Sequence, residues 1–194
     1  NSIGMKLKLI PAGEFMMGTD ADAEYDEERP SHIQTVRQPF LIARYPVTNA
    51  QWRQAVAAGA VSPPRNTQWY ADDSMQLTPV VHVDGFMSQQ FAQWAGCALP
   101  SELHWEYAAR GVENWLYPWG NEFVADYLVH DQTPQYGATM PAPVTIMPQG
   151  ASWVGALHMS GNVWEWTTSA FEPYPYVAGD GRERDTDGEV QRVV

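Results

Sequence analysis

Residues 161–166 read Gly-Asn-Val-Trp-Glu-Trp, and no other stretch restricts the fold of this 194-residue chain as strongly. The Gly-Asn pair favours a tight turn, because both residues tolerate positive φ. If the chain then runs extended, Trp164 and Trp166 share one face and Glu165 takes the other. A carboxylate wedged between two large rings is either solvated or bound to something, since burying it unpaired is costly. The stretch is therefore expected to sit at the centre of the domain.

The rest of the composition agrees with a fold anchored by large rings. There are nine Trp and nine Tyr, with 15 Gly and 15 Pro to break regular structure. The formal net charge of -12 argues against nucleic acid or anionic membranes as partners, both of which attract basic surfaces. One cysteine, Cys97, excludes an internal disulfide and any multi-cysteine metal site. No apolar run reaches the roughly 18 residues of a membrane span, and no signal peptide is visible. These features predict a soluble protein of the cytoplasm. Secretion is left open because the chain starts at Asn1.

Along the chain, alternation predicts strands over residues 6–10, 14–18, 32–36 and 40–45, with Pro11-Ala12-Gly13 turning between the first two. Residues 20–28 carry six carboxylates without an EF-hand pattern and read as a solvated loop. Thr48 and Gln51 form a capping box for a first helix, whose buried face is Trp52, Ala55 and Val56 and whose stop is Gly59. A polar loop covers residues 62–78, and a short buried strand follows over 79–83. Asp84 caps a second helix with Phe86, Phe91 and Trp94 inward, and Ser101 caps a third that runs to Gly111. A charged loop over 179–189 precedes a renewed strand at 190–194. Strands, then helices, then short strands and long loops make an α+β pattern, not a βαβ repeat.

Five blocks then occur together. They are residues 10–18 (Ile-Pro-Ala-Gly-Glu-Phe-Met-Met-Gly), 45–52 (Tyr-Pro-Val-Thr-Asn with Trp52), 99–111 (Leu-Pro-Ser-Glu with Trp-Glu-Tyr-Ala-Ala-Arg-Gly), 117–121 (Tyr-Pro-Trp-Gly-Asn) and 161–166. In this order the chain resembles the formylglycine-generating enzyme, or sulfatase-modifying factor, family over nearly its whole length. The resemblance implies a C-type-lectin-like α+β fold with low regular content, in a single domain over residues 1–194 that is C-terminally incomplete relative to the family. It also implies a choice of activities. One branch oxidises a cysteine with copper held by a cysteine pair. Another makes sulfur–carbon bonds with iron held by a histidine-rich helical domain. A third binds ligands without catalysis, as in variable proteins of diversity-generating retroelements and domains fused to bacterial kinases or proteases.

Cys97 matches neither catalytic cysteine of the copper branch, and copper would need cysteines from a further C-terminal segment. His32, His82, His104, His130 and His158 show no ligand spacing. The expectation is therefore a module that binds a protein or small-molecule ligand. The alternative is the N-terminal part of an oxygen-dependent cysteine oxidase or a related sulfur-chemistry oxidoreductase. The resemblance also implies calcium. One site would use Glu165, the carbonyls of Gly161 and Val163, and His158, where the family has an Asn. A weaker one would use Asp126 and the carbonyl of Tyr127. Trp52, Trp94, Trp105, Trp119, Trp164 and Trp166 are expected in the core. Trp69, Tyr70, Trp115, Tyr174 and Tyr176 lie in loops and are the candidates for ligand contact.

Overall fold

The computed structural model describes residues 3–20, 26–183 and 190–194. Parts of the acidic loop (21–25) and of the charged loop (184–189) expected above lie outside the described residues. Four strands form two antiparallel ribbons: β1 (Leu7–Ile10) pairs with β4 (Phe40–Ala43), and β2 (Gly13–Met17) pairs with β3 (His32–Val36). The turn at Pro11-Ala12 carries the chain from one ribbon to the other, so that in sequence the β1–β4 pair brackets the β2–β3 pair. Alternation places Ile10, Phe15, Met17 and Val36 in the core, and leaves Leu9 and Leu41, cross-strand partners, 66% and 59% exposed.

Three helices follow, each started by the residue that local chemistry selects. At α1 (Asn49–Ala57), Thr48 accepts the Gln51 N–H and the Gln51 side chain accepts the Thr48 N–H, which completes the box. Asp84 accepts the Met87 N–H at the start of α2 (Gly85–Trp94), and Ser101 accepts the His104 N–H at the start of α3 (Glu102–Arg110). Two apolar clusters result. α3 packs Leu103, Tyr107, Ala108 and Ala109 onto the ribbons with Met159 and Tyr176. α1 and α2 meet through Trp52, stacked on Phe91 at 5.1 Å and 9°, with the Trp52 indole N–H donating to the Ser62 carbonyl.

Three expectations change. Residues 79–83 form no strand: Pro79 makes one isolated bridge to Thr48, and His82 turns the chain at φ 60. Phe86, in the first turn of α2, is 63% exposed because the inward face at that point is taken by Gly85 against Trp166. The 161–166 stretch is irregular rather than extended, and Trp164 is 83% exposed, so its two tryptophans do not share a buried face. The terminal residues do pair: Thr167 and Phe171 donate to Val193 and Gln191, and Val193 donates to Ser169.

Trp52→Ala should lower unfolding free energy by about 3–5 kcal/mol, because the site is enclosed by rigid helices. Thr48→Ala should cost about 1 kcal/mol, the usual loss of a cap. Urea denaturation of the two variants checks both values and their order.

Candidate functional site

Residues 161–168 are pinned at both ends. Gly161 sits at φ 77, and a Cβ there would lie 2.2 Å from the Val129 carbonyl oxygen, so only glycine fits. Asn162 donates its backbone N–H to that same oxygen and exchanges two amide hydrogen bonds with Ala142, at 2.9 and 3.2 Å. Downstream, the Trp166 indole N–H donates to the Val83 carbonyl at 3.1 Å, and the Thr168 N–H donates to Pro100. Between these anchors the backbone turns Trp164 outward and places Glu165 on the wall of a cavity.

The cavity has a volume of about 490 Å³ and lies between the β1–β4 ribbon, the end of α2 with the following loop, the start of α3, and residues 163–166. Its wall is apolar and aromatic, including Leu7, Phe40, Trp52, Phe91, Trp105 and Trp166. Among the described residues, Glu165 is the one acidic side chain on it, and neither Lys nor Arg lines it. Burial pushes the Glu165 carboxyl up to about 7, and the neighbouring Trp105 indole offsets part of the shift. That indole Nε1 is buried without a hydrogen bond of full geometry, so the carboxyl is weakly held. Further polar residues line the same space, Ser101, His104 and Cys97 among them. Ser101 Oγ lies 2.6 Å from His104 Nδ1, and burial holds the His104 imidazole below its ordinary value. Cys97 is half-buried at the end of α2. A carboxyl that exchanges its proton near neutrality, enclosed by rings, can hold a cation or pass a proton.

A second, smaller cavity of about 290 Å³ lies on the other side of Trp105. Its wall holds Glu102, Glu106, Arg110 and Tyr174. Glu106 and Arg110 are joined at 2.7 Å, and the Tyr174 hydroxyl donates to Glu102 at 2.7 Å. Burial raises both carboxyls, and Arg110 pulls that of Glu106 back.

The metal candidates are placed as follows. The Gly161 carbonyl already accepts the Val163 N–H at 3.0 Å. His158 is 5% exposed; the Val144 backbone accepts from its ring, and its Nε2 is buried without a partner. One carboxylate, two carbonyls and an imidazole make a poor match to calcium, which prefers several oxygen ligands. Asp126 is exposed in a short helical turn, and the Tyr127 carbonyl packs against Gly150. Among the described residues, no three His, Cys, Asp or Glu side chains are assembled in a way that could hold a metal. The histidines are engaged separately: His32 with Pro30 and Tyr176, His82 stacked on Trp69, His104 with Ser101. Neither a histidine iron site nor a thiolate copper site fits the described residues.

The five ring candidates are not brought together. Trp69 stacks on His82, Tyr70 lies under Arg53, and the Trp115 carbonyl accepts from Arg110. Tyr174 lines the smaller cavity, and Tyr176 is 4% exposed with its hydroxyl bonded to Glu183, which places it in the core rather than on a contact surface. The rings that line the larger cavity are ones expected in the core, Trp105, Trp164 and Trp166 among them. His104 and Ser101 were missed because their spacing reads only as a helix start.

Comparison with known proteins agrees with this architecture. Residues 5–194 match the sulfatase-modifying factor enzyme 1-like domain. A hercynine oxygenase of Mycolicibacterium smegmatis is 34% identical, over 86% of this chain and 46% of its own length. A formylglycine-generating enzyme of Thermomonospora curvata is 32% identical, over 84% of this chain and 71% of its own. The solved structure of PvdO from Pseudomonas aeruginosa superimposes with a TM-score of 0.69 at 26% identity, covering 86% of this chain and 71% of that one. The chain thus spans about half the length of the hercynine oxygenase. Fold, motif order and sequence agree that this chain belongs to the sulfatase-modifying factor (FGE-sulfatase) family, with its C-type-lectin-like fold.

Proposed function

We propose that this chain is the ligand-holding domain of an oxidative enzyme related to the hercynine oxygenases, with the redox metal bound elsewhere in a longer protein. The observation that carries the reading is the large apolar cavity with one weakly held carboxyl at the 161–166 turn. The identity to hercynine oxygenases over most of the chain supports the oxidative branch. In that branch, iron held by a histidine-rich helical domain would supply oxygen chemistry. The residues of this chain would enclose the substrate and exclude water. A second reading, a binding module without catalysis, is favoured by Trp164, which stands 83% exposed at the cavity.

The division of labour has a direct test. Titrated with Cu(I) or Fe(II), the protein should show no tight stoichiometric binding, and the Cys97 thiol should stay reactive throughout. Stoichiometric binding of either metal would contradict the proposal. Oxygen uptake with iron(II), hercynine and a thiol should likewise be absent for the chain alone and appear once a histidine-rich iron domain is supplied. No uptake in either case favours the binding module. Thermal melts with calcium and with chelator decide the calcium site at Glu165: the poor donor set predicts no shift, and a rise with calcium would restore the ion.

The raised carboxyl also makes stability depend on pH. Folded, Glu165 keeps its proton up to about 7; unfolded, it loses it near 4.5. Between these values only the folded state carries the proton, so stability falls as pH rises through that window and is flat above it. The loss is about 3 kcal/mol for a shift of this size. Other buried groups titrate too, so the quantity to measure is the difference between wild type and Glu165→Gln. On going from roughly pH 5 to pH 8, wild type should lose about 2.5 kcal/mol more than the variant. Parallel pH curves for the two proteins would show that Glu165 is ionised throughout.

A further inference from the structure

We infer that His32 is a pH-sensitive latch: as a neutral imidazole it holds residues 173–176 against the smaller cavity, and its protonation releases that segment. The inference rests neither on the larger cavity nor on any oxidative role for the protein.

The hydrogen bonds of the ring admit one protonation state. Its Nδ1 lies 2.8 Å from the Pro30 carbonyl oxygen, which can only accept, so Nδ1 carries a proton. Its Nε2 lies 2.8 Å from the Tyr176 backbone nitrogen, whose N–H can only donate, so Nε2 is the bare acceptor. A second proton on the ring would set two donors against each other. The N–H of Tyr176, a buried residue, would then lose its partner. Histidine is the side chain that ordinarily changes charge between about pH 5 and 8. The ring is half-buried, so a proton can reach it from solvent.

What the latch holds is Pro173-Tyr174-Pro175-Tyr176. The Gln34 amide donates to the Tyr176 carbonyl at 2.6 Å, and the Tyr174 ring meets the His32 ring edge-on at 5.0 Å. Residues 32 and 34 share one face of β3, so that face carries the whole attachment. Tyr174 in turn lies against Gly18, donates to Glu102 at 2.7 Å and forms part of the wall of the smaller cavity. Releasing the Tyr176 N–H loosens that wall.

Charged groups surround the ring on three sides. α3 presents Glu106, close enough for charge on His32 to pull its carboxyl down, together with its partner Arg110. On the side of the held segment, Glu102 is bonded to Tyr174, Glu183 accepts from the Tyr176 hydroxyl, and Arg182 lies over the Tyr176 ring. Ahead of β3, Asp20 accepts from Ser31, with Arg29 close by.

The test is NMR between about pH 7.5 and pH 5, following the His32 ring resonances and the exchange protection of the Tyr176 amide. As His32 takes its proton, the Tyr176 protection factor should fall at least about tenfold, and the ring-to-ring contact of His32 with Tyr174 should be lost. The Val80 amide, bonded to the Val47 carbonyl, should keep its protection. In His32→Gln, whose side-chain oxygen can accept the same N–H but takes no proton, Tyr176 should stay protected throughout. In His32→Phe, which has no acceptor, it should be unprotected throughout. A thermal melt establishes that each variant is folded, and the glutamine variant decides if the phenylalanine variant is not. The latch is overturned if Tyr176 stays protected in wild type after His32 has titrated, or if His32 takes no proton by about pH 5. It is equally overturned if His32→Gln, or the Val80 amide of wild type, loses protection in step with Tyr176, or if Tyr176 stays protected in folded His32→Phe.

Discussion

Gly18 is clamped by α3 from both sides, and much of the architecture depends on that clamp. Glu106 accepts the Gly18 N–H at 2.8 Å, and Arg110 donates to the Gly18 carbonyl at 2.9 Å. The two side chains hold each other at 2.7 Å, one helical turn apart. A carboxylate this buried survives only because Arg110 and the backbone donor share its charge. Gly18 cannot be replaced, since it sits at φ 79 with a Cβ position 2.7 Å from the Glu28 carbonyl oxygen. Through this contact the end of β2 is locked to α3, and α3 in turn orients Trp105 between the two cavities.

Little of the molecule is regular, so side chain–backbone bonds replace ladders. Trp52, Trp153 and Trp166 each donate an indole N–H to a distant carbonyl, and Asn162 carries a two-bond bridge to Ala142. Rings with a polar edge suit this use, because they fill volume and satisfy an orphaned carbonyl at once. That explains why a chain with three α-helices and two small ribbons among its described residues carries nine tryptophans. It also explains how an irregular stretch such as 161–168 can present Glu165 in a fixed direction.

Local chemistry was legible in the residues. Thr48, Asp84 and Ser101 start helices where their side chains say they should, and the four strands follow alternation. The 161–166 turn was recognised as central, and it does border the larger cavity. Whatever depends on distant partners was not legible. Trp164 and Trp166 are chemically alike, yet one finds the Val83 carbonyl and the other faces solvent. Phe86 keeps helical spacing but is displaced from the core by the ring packed on Gly85. The one overlooked local signal was Glu102, Glu106 and Arg110 at successive turns of α3, a ladder that marks a buried charged face.

The account turns on Glu165 as a carboxyl enclosed by an apolar wall and ionising near neutrality. Infrared difference spectroscopy of wild type against Glu165→Gln measures this directly through the carbonyl stretch of a protonated carboxyl. At about pH 6 the wild type should show that band and the variant should lack it; by about pH 8.5 the band should be gone. A wild-type spectrum already showing only carboxylate at about pH 5.5 would mean that Glu165 is solvated or paired, and would contradict the site as described.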